Sequence, residues 1–219
     1  MSITKNLNAL KAELPKEVTL VAVSKTKPNE AIAEAYQTGQ RVFGENKVQE
    51  LVQKYEDLPK DIEWHLIGHL QSNKVKYIAP FVSLIHAVDS LKLLKEINKQ
   101  ALKNNRIINC LLQVKIAKEE SKFGLSESDS EAIINNLEIN QLEGVRIVGL
   151  MGMATNSLDN NLVKDEFYAL HSFFKKAIAQ HPTLKILSMG MSGDYKTAIE
   201  QGSNMIRVGS TIFGERNKH

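Results

Sequence analysis

A lysine ends the first strand-like run of the chain, where VTLVAVS (residues 18–24) leads into Lys25. A lysine amine is protonated near neutral pH, with a reference pKa of about 10.4. Partial burial or a neighbouring cation lowers that pKa, and the free amine can then act as a base or attack an aldehyde. The alternative is an ordinary solvated loop lysine, since Lys27 lies only two residues further on.

Two turns of small residues near the end of the chain suit an anion. Ser192 and Gly193 stand between a strand-like run and a helix-like run, where free backbone N–H groups and a helix dipole favour negative charge. Asp194 is also an ordinary helix-cap residue, so simple capping is the alternative there. After the last run, Gly209 permits close approach of the backbone and Ser210 adds a hydroxyl. Together these turns favour a ligand that carries a phosphate.

Two further polar residues lie in or at the end of strand-like runs. Arg207 lies inside the last run, and a charged side chain in a buried strand needs a partner. It forms either a structural ion pair with an acid inside the fold or a permanently charged donor for a ligand. Asn46 ends the second run and either faces the same ligand or caps the next helix.

The other reactive side chains are weaker candidates. His65 and His69 have the spacing of a helical zinc pair, but along a strand four residues span about 13 Å. We therefore expect no zinc site. His86 follows an apolar run and is typical of a satisfied core histidine. The single cysteine, Cys110, lies in INCLLQV, so we expect a buried, inert thiol and a reducing compartment, the cytoplasm.

Eight strand-like runs alternate with helix-like patterns along the chain. The runs lack two-residue alternation, which is typical of strands covered on both faces. Repeated strand–helix units predict parallel strands with crossover helices. Eight units in 219 residues match a (β/α)8 TIM barrel with an extra N-terminal helix, and an open doubly wound sheet is the alternative. The predicted strands are 18–24, 41–46, 63–68, 82–88, 108–116, 145–153, 185–191 and 204–209.

A barrel would gather the candidate residues. Active sites of this fold lie at the C-terminal ends of the strands, and the loops after strands seven and eight frequently bind phosphate. Closure places strand eight beside strand one, so Lys25, Arg207 and Gly209 become neighbours. An open sheet would not guarantee this.

Composition narrows the function class. The chain is 42% hydrophobic and 24% charged with a net charge of +3, as is ordinary for a soluble globular protein. Basic residues form no stripe with interleaved aromatic residues, so nucleic-acid binding is not indicated. The N-terminal stretch MSITKNLNALKAEL lacks the apolar core of a signal peptide or membrane span. We expect residues 1–219 to form one domain that acts as a monomer.

The motifs together resemble a known family. They are, in chain order, LVAVSKTKP, FGENKVQEL, WHLIGHLQSNKVK, HAVDS, EESKFGL, GLMGMAT and SMGMSGDYKTAIEQGSNMIRVGSTIFGER. From about residue 18 to 216 the chain resembles the YggS/PROSC family, the pyridoxal 5′-phosphate homeostasis proteins. The resemblance implies the barrel of fold type III pyridoxal phosphate enzymes such as alanine racemase, without their additional β domain.

The resemblance also assigns roles to residues. It implies that Lys25 forms an internal aldimine with pyridoxal phosphate, that Arg207 faces the pyridine nitrogen and that Asn46 lines the pocket. It implies a phosphate site made by four small residues, Ser192, Gly193, Gly209 and Ser210. Two positions depart from the family pattern: Ser210 stands where threonine is common and keeps the hydroxyl, and Phe123 stands where a smaller residue is usual.

The implied function is a carrier that holds pyridoxal phosphate and maintains intracellular vitamin B6 levels without catalytic turnover, with delivery to apo-enzymes as a further implication. The alternative is a pyridoxal phosphate-dependent amino-acid racemase. Related racemases take a second acid/base from the additional domain and the dimer partner, whereas this chain ends at His219, soon after strand eight. A third interpretation is a cofactor-free sugar-phosphate isomerase or aldolase that uses Lys25.

Overall fold

Eight parallel strands close into a barrel in the computed structural model, which describes residues 2–118, 123–136, 139 and 141–215. Each strand pairs with its neighbour in sequence, and the last strand pairs with the first. The predicted barrel is therefore confirmed over the open sheet. The strands are β1 Thr19–Val23, β2 Val42–Glu45, β3 Glu63–Leu66, β4 Leu84–Val88, β5 Ile108–Gln113, β6 Val145–Met151, β7 Ile186–Met191 and β8 Met205–Val208.

Helices connect the strands, and one helix precedes them. A 3-10 turn at Ser72–Lys74 leads into the short helix after β3. No helix in the described part of the chain is long and apolar enough to cross a membrane. The helices are α1 Ile3–Glu13, α2 Asn29–Gln37, α3 Val48–Asp57, α4 Val75–Ile78, α5 Leu91–Lys103, α6 Glu127–Ile134, α7 Asn160–Gln180, α8 Tyr195–Glu200 and α9 Ser210–Phe213.

The strand ends differ from the sequence-based prediction by up to three residues, and two of the differing element boundaries have a clear local reason. Strand β5 ends at Gln113 and not at 116, because Leu125 returns to exchange backbone hydrogen bonds with Gln113 and Lys115, each 2.8 Å long. The helix-like pattern of the sequence predicts a helix over residues 130–137, whereas α6 begins at Glu127, because the Ser126 hydroxyl caps it by accepting the Asp129 N–H at 3.0 Å. The predicted end of that helix, residue 137, lies outside the described residues.

Apolar side chains fill two regions on either side of the barrel wall. The larger core lies between the strands and the helices and includes Phe43 and Trp64, whose ring centroids are 5.9 Å apart. A smaller cluster occupies the barrel interior: Val21, Leu84, Ala87, Leu111, Met151 and Met205. Each large side chain buried in this way stabilises the fold by roughly 1.5–3 kcal/mol.

The N-terminal helix supports the segment that follows β8. Leu7 and Leu10 of α1 are buried, and their three-residue spacing places them on one face of the helix. Helix α1 packs against α2 and α9. The Asn6 side-chain amide donates to the Ile212 carbonyl at 3.0 Å. The extra helix predicted from the sequence therefore anchors the short helix that begins at Ser210.

Gly149 should be far less replaceable than Gly193. A Cβ added at Gly149 would lie 1.8 Å from the Ile186 carbonyl oxygen on the neighbouring strand, whereas one added at Gly193 would meet nothing within 4 Å. We expect Gly149→Ala to lower the free energy of unfolding by about 3 kcal/mol, because backbone cannot give way as a side chain can. Gly193→Ala should change it by less than about 0.5 kcal/mol. Urea denaturation measures both, and equal midpoints would contradict the packing described here.

Candidate functional site

A cavity of about 480 Å³ lies at the C-terminal ends of the strands. All seven residues singled out from the sequence line it: Lys25, Asn46, Ser192, Gly193, Arg207, Gly209 and Ser210. Several other residues that line the cavity were not predicted as site residues, and they include Lys27, His69, Gln113, Phe123, Met153 and Met191. Most of these residues stand at or just beyond strand ends, and that position in the sequence could have identified them as site residues.

Lys25 occupies a tight turn directly after β1. The turn is closed by the Lys27 N–H, which donates to the Ser24 carbonyl at 3.0 Å. Thr26, the third residue of the turn, has a φ of 63°. That left-handed conformation is rare for a β-branched residue and costs on the order of 1–3 kcal/mol. The Lys25 side chain is half-buried at the cavity wall.

A buried ion cluster lies against this turn. The Lys54 ammonium donates to the Ser24 carbonyl at 2.9 Å, to Glu45 Oε1 at 2.8 Å and to Glu50 Oε1 at 2.7 Å. The Ser24 hydroxyl donates to the same Glu45 oxygen at 2.6 Å, and the Thr26 N–H donates to Glu50 Oε1 at 2.6 Å. Burial raises the pKa of Glu45, and the neighbouring Lys54 charge opposes that rise. This cluster was not predicted from the sequence.

The loops after β7 and β8 meet through one hydrogen bond. The Gly209 N–H donates to the Ser192 hydroxyl oxygen at 3.1 Å. A Cβ at Gly209 would lie 3.1 Å from the Val23 carbonyl oxygen, so the close backbone approach expected at this glycine is observed against β1. A Cβ at Gly193 would project into open space. Small residues thus leave room at this end of the cavity.

The capping role considered for Asp194 is wrong. Asp194 precedes α8, but its side chain makes no capping hydrogen bond to the helix. One carboxylate oxygen accepts the Met191 N–H at 2.6 Å, because the chain turns sharply between β7 and α8. The carboxylate therefore fixes the loop that carries Ser192 and Gly193.

Arg207 points into the barrel and is 4% exposed. Its guanidinium donates to the Ser188 hydroxyl at 2.7 Å and to the Gly152 carbonyl at 3.1 Å. Both acceptors are neutral, so these bonds do not form the structural ion pair that was one of the two interpretations. Burial lowers the pKa of Arg207 to about 10, while the charge of Asp194 opposes the shift. Arg207 remains a cation at neutral pH and lines the cavity.

A chain of neutral hydrogen-bonding groups runs from Arg207 across the barrel interior. The Ser188 hydroxyl lies 3.2 Å from His86 Nδ1, and His86 Nε2 lies 3.1 Å from His65 Nδ1. Since Ser188 accepts from Arg207, its own proton is available to His86, and His86 can then donate to His65. Burial lowers the pKa of His65 to about 3, and burial, His65 and Arg207 hold the pKa of His86 well below its usual value.

The remaining candidates from the sequence separate in space. His65 lies inside the barrel, whereas His69 Nδ1 lies 3.3 Å from an Asp89 oxygen at the cavity rim. Among the described residues no three metal-ligating side chains come together. His86 is buried and hydrogen-bonded, as expected of a satisfied core histidine. Cys110 is buried, as predicted, and burial raises the pKa of its thiol.

Phe123, flagged from the sequence as a departure from the family pattern, is 73% exposed and lines the cavity. Its carbonyl accepts a hydrogen bond from the Gln113 amide at 2.9 Å, so the end of β5 holds the Phe123 backbone beside the cavity. Its ring lies 6.1 Å from that of His69, centroid to centroid. The two rings border the same side of the cavity mouth.

Comparison with known proteins places the chain in a family. The family model described as the alanine racemase N-terminal domain matches residues 1–217. A pyridoxal phosphate homeostasis protein of Vibrio alginolyticus is 41% identical over 208 residues, covering 93% of this chain and 88% of the relative. The chain belongs to the pyridoxal phosphate homeostasis family. The Aquifex aeolicus member is 42% identical over 200 residues, covering 90% and 86%. The resemblance stated from the motifs is thus confirmed.

Solved structures of similar proteins share the barrel. PipY of Synechococcus elongatus without pyridoxal phosphate superposes with a TM-score of 0.90 at 40% identity, covering 97% of this chain and all of PipY. The structure of PipY with pyridoxal phosphate bound gives 0.88 at 39% identity with the same coverage. Alanine racemase of Clostridium difficile shares the fold, with a TM-score of 0.79 at 14% identity over 99% of this chain and 57% of the racemase.

Because its buried histidines are uncharged, the folded protein should lose free energy of unfolding as the pH falls. His65 has a pKa of about 3 in the folded protein, against about 6.5 when unfolded. Between these values the unfolded state binds the extra proton, so the free energy of unfolding falls as the pH falls, by up to about 1.4 kcal/mol per pH unit. His65→Gln keeps an acceptor for His86 and should remove this part of the slope. Urea denaturation at pH 7, 6 and 5 measures it, and parallel profiles for both proteins would contradict the account.

Proposed function

We propose that this protein binds pyridoxal 5′-phosphate in the cavity at the strand ends and acts as a carrier in cofactor homeostasis. One observation carries the proposal: a half-buried lysine, a buried arginine and a turn of small residues line the same cavity. The names of the relatives and the PipY complex support the choice of ligand. A cavity of about 480 Å³ is within the range of roughly 300–1,000 Å³ for small-molecule and cofactor pockets.

The end of the cavity that is bordered by the small-residue turns after β7 and β8 would hold the phosphate. Ser192 and Ser210 supply hydroxyl donors, and Gly193 and Gly209 supply backbone without a Cβ that would fill the space. Helix α8 has only six residues, so hydroxyl and backbone donors carry this proposal and its dipole adds little. Asn46, the residue after β2, borders the cavity and can donate or accept hydrogen bonds there.

Lys25 would attach the cofactor. An unprotonated lysine amine condenses with an aldehyde, forming a carbon–nitrogen double bond and releasing one water. Lys25 follows β1 at the cavity wall, and β1 pairs with the strand that carries Arg207. Covalent storage keeps a reactive aldehyde from other amines, which is the property a carrier needs.

Arg207 would tune the chemistry of bound pyridoxal phosphate. Bound pyridoxal phosphate supplies an electron sink for carbanions. Because a guanidinium has only donors, Arg207 placed beside the ring nitrogen would disfavour a proton on that nitrogen and would weaken the sink. Ser188 and Gly152 fix the guanidinium from behind.

The carrier would act as a monomer in the cytoplasm and would deliver its cofactor to other proteins. The cavity opens at the strand ends, which supports delivery of the cofactor to pyridoxal phosphate-dependent apo-enzymes. The barrel buries its own core, which supports action as a monomer. A single buried cysteine supports a reducing compartment, the cytoplasm.

Lys25→Ala should abolish covalent attachment and weaken binding at least about 100-fold. The reason is that phosphate and ring contacts remain but the carbon–nitrogen bond is lost. Equilibrium dialysis with pyridoxal phosphate measures the affinity, and the visible spectrum reports the attachment. Lys76→Ala is the matched control, since Lys76 is an exposed lysine on α4. A normal attachment spectrum in Lys25→Ala would refute the assignment.

Turnover and delivery separate the carrier from a racemase. The loaded protein, incubated with single-enantiomer amino acids and analysed by chiral chromatography, should leave the enantiomers unchanged. Mixed with a pyridoxal phosphate-dependent apo-enzyme, it should restore that enzyme's activity. Rapid racemisation would replace the carrier proposal with the racemase alternative.

A further inference from the structure

The residues on both sides of Lys25 are tied to one buried cluster of charged side chains. Ser24 contributes its hydroxyl to Glu45 and its carbonyl to Lys54. Thr26 contributes its N–H to Glu50. A lysine ammonium has three donors, and Lys54 directs one to Ser24 and the other two to the glutamates that hold Ser24 and Thr26. The cluster therefore acts on the backbone that presents Lys25.

The cluster is poorly suited to a purely stabilising role. Lys54 is 4% exposed and Glu45 is completely buried. Buried ion pairs lose much of their attraction to desolvation, and they stabilise only when every polar atom is satisfied. Glu45 Oε2 is buried and has no hydrogen-bond partner in the part of the chain that the structure describes. Such a half-satisfied cluster indicates a task other than stability.

The backbone of the Lys25 turn needs a restraint. Thr26 has a φ of 63°, a conformation that normally requires glycine or asparagine in a turn of this kind. A threonine there relaxes unless neighbouring groups hold it. The hydrogen bond from the Thr26 N–H to Glu50 Oε1 is 2.6 Å long and supplies that restraint.

We propose that Glu45, Glu50 and Lys54 form a clamp that positions Lys25 for attachment of an aldehyde ligand. The clamp holds the strained turn between Ser24 and Thr26, so that the amine is presented to the cavity before the ligand arrives. The three residues are positioning residues, since they act on Lys25 through the backbone. This inference rests on the proposed attachment of pyridoxal phosphate at Lys25.

Glu50 offers the sharpest test, because its side chain is partly exposed and its loss leaves the Lys54–Glu45 pair intact. Glu50→Ala removes the acceptor for the Thr26 N–H, and Glu50→Gln keeps an oxygen at that place. Glu56→Ala is the matched control, because Glu56 is an exposed glutamate on the same helix. All variants are compared at a temperature at which each is folded.

The first readout needs no cofactor. Amide hydrogen exchange of the peptide spanning residues 24–27 should be at least about tenfold faster in Glu50→Ala than in the native protein. The exchange rate should be unchanged in Glu56→Ala and close to the native rate in Glu50→Gln. Equal exchange in Glu50→Ala and Glu56→Ala would overturn the clamp.

The second readout is the rate of attachment. Protein is mixed with pyridoxal phosphate, reduced with borohydride at set times and mapped by peptide mass at Lys25. Glu50→Ala should label at least about tenfold more slowly than Glu56→Ala, and adding Thr26→Gly should restore much of the rate, because glycine adopts the positive φ without help. Labelling of Glu50→Ala at the native rate, or no recovery with Thr26→Gly, would overturn the inference.

The labelling experiment distinguishes a failure of the proposed function from a failure of the clamp. If native protein and Glu56→Ala also fail to label at Lys25, the attachment itself is wrong, and the positioning role falls with it. If they label and Glu50→Ala labels equally fast, only the clamp is wrong.

Discussion

Closure of the barrel between β1 and β8 is the constraint on which the site depends. The two strands pair in parallel, with Val21 opposite Arg207 and Ala22 opposite Val208. Lys25 follows the end of β1, and Gly209 approaches the Val23 backbone closely enough that only glycine fits without displacement. Without this pairing the lysine, the arginine and the small-residue turns would line different surfaces.

Two buried cations, Arg207 and Lys54, lie near the paired strands β1 and β8, and their hydrogen-bond partners differ in charge. Arg207 is held by neutral acceptors, and its surroundings continue into a chain of uncharged histidines. Lys54 is held by two carboxylates outside the barrel wall. Desolvation is costly for both charges, and hydrogen bonds to nearby backbone and side-chain oxygens compensate each of them.

The sequence predicts the fold well because its signals are local. Apolar runs, turn glycines and the helix-like patterns locate all eight strands. The rule that sites lie at strand ends, together with the charge of Arg207 inside a buried strand, selects seven residues that share one cavity. Contacts across the barrel are not local. Glu50 and Lys54 have the spacing of an ordinary surface pair on a helix, and nothing near them in sequence indicates Ser24. The hydrogen bond between His65 and His86 likewise depends on the register of β3 and β4, which sequence patterns do not fix.

The covalent role of Lys25 is the centre of the account and is tested most directly on the native protein. Purified protein is incubated with pyridoxal phosphate, reduced with borohydride, digested and mapped by mass spectrometry. The account predicts one dominant pyridoxyl-modified peptide, carrying the label on Lys25, and loss of the visible band on reduction. A label spread over exposed lysines, or concentrated on another lysine of the cavity such as Lys27, would contradict it.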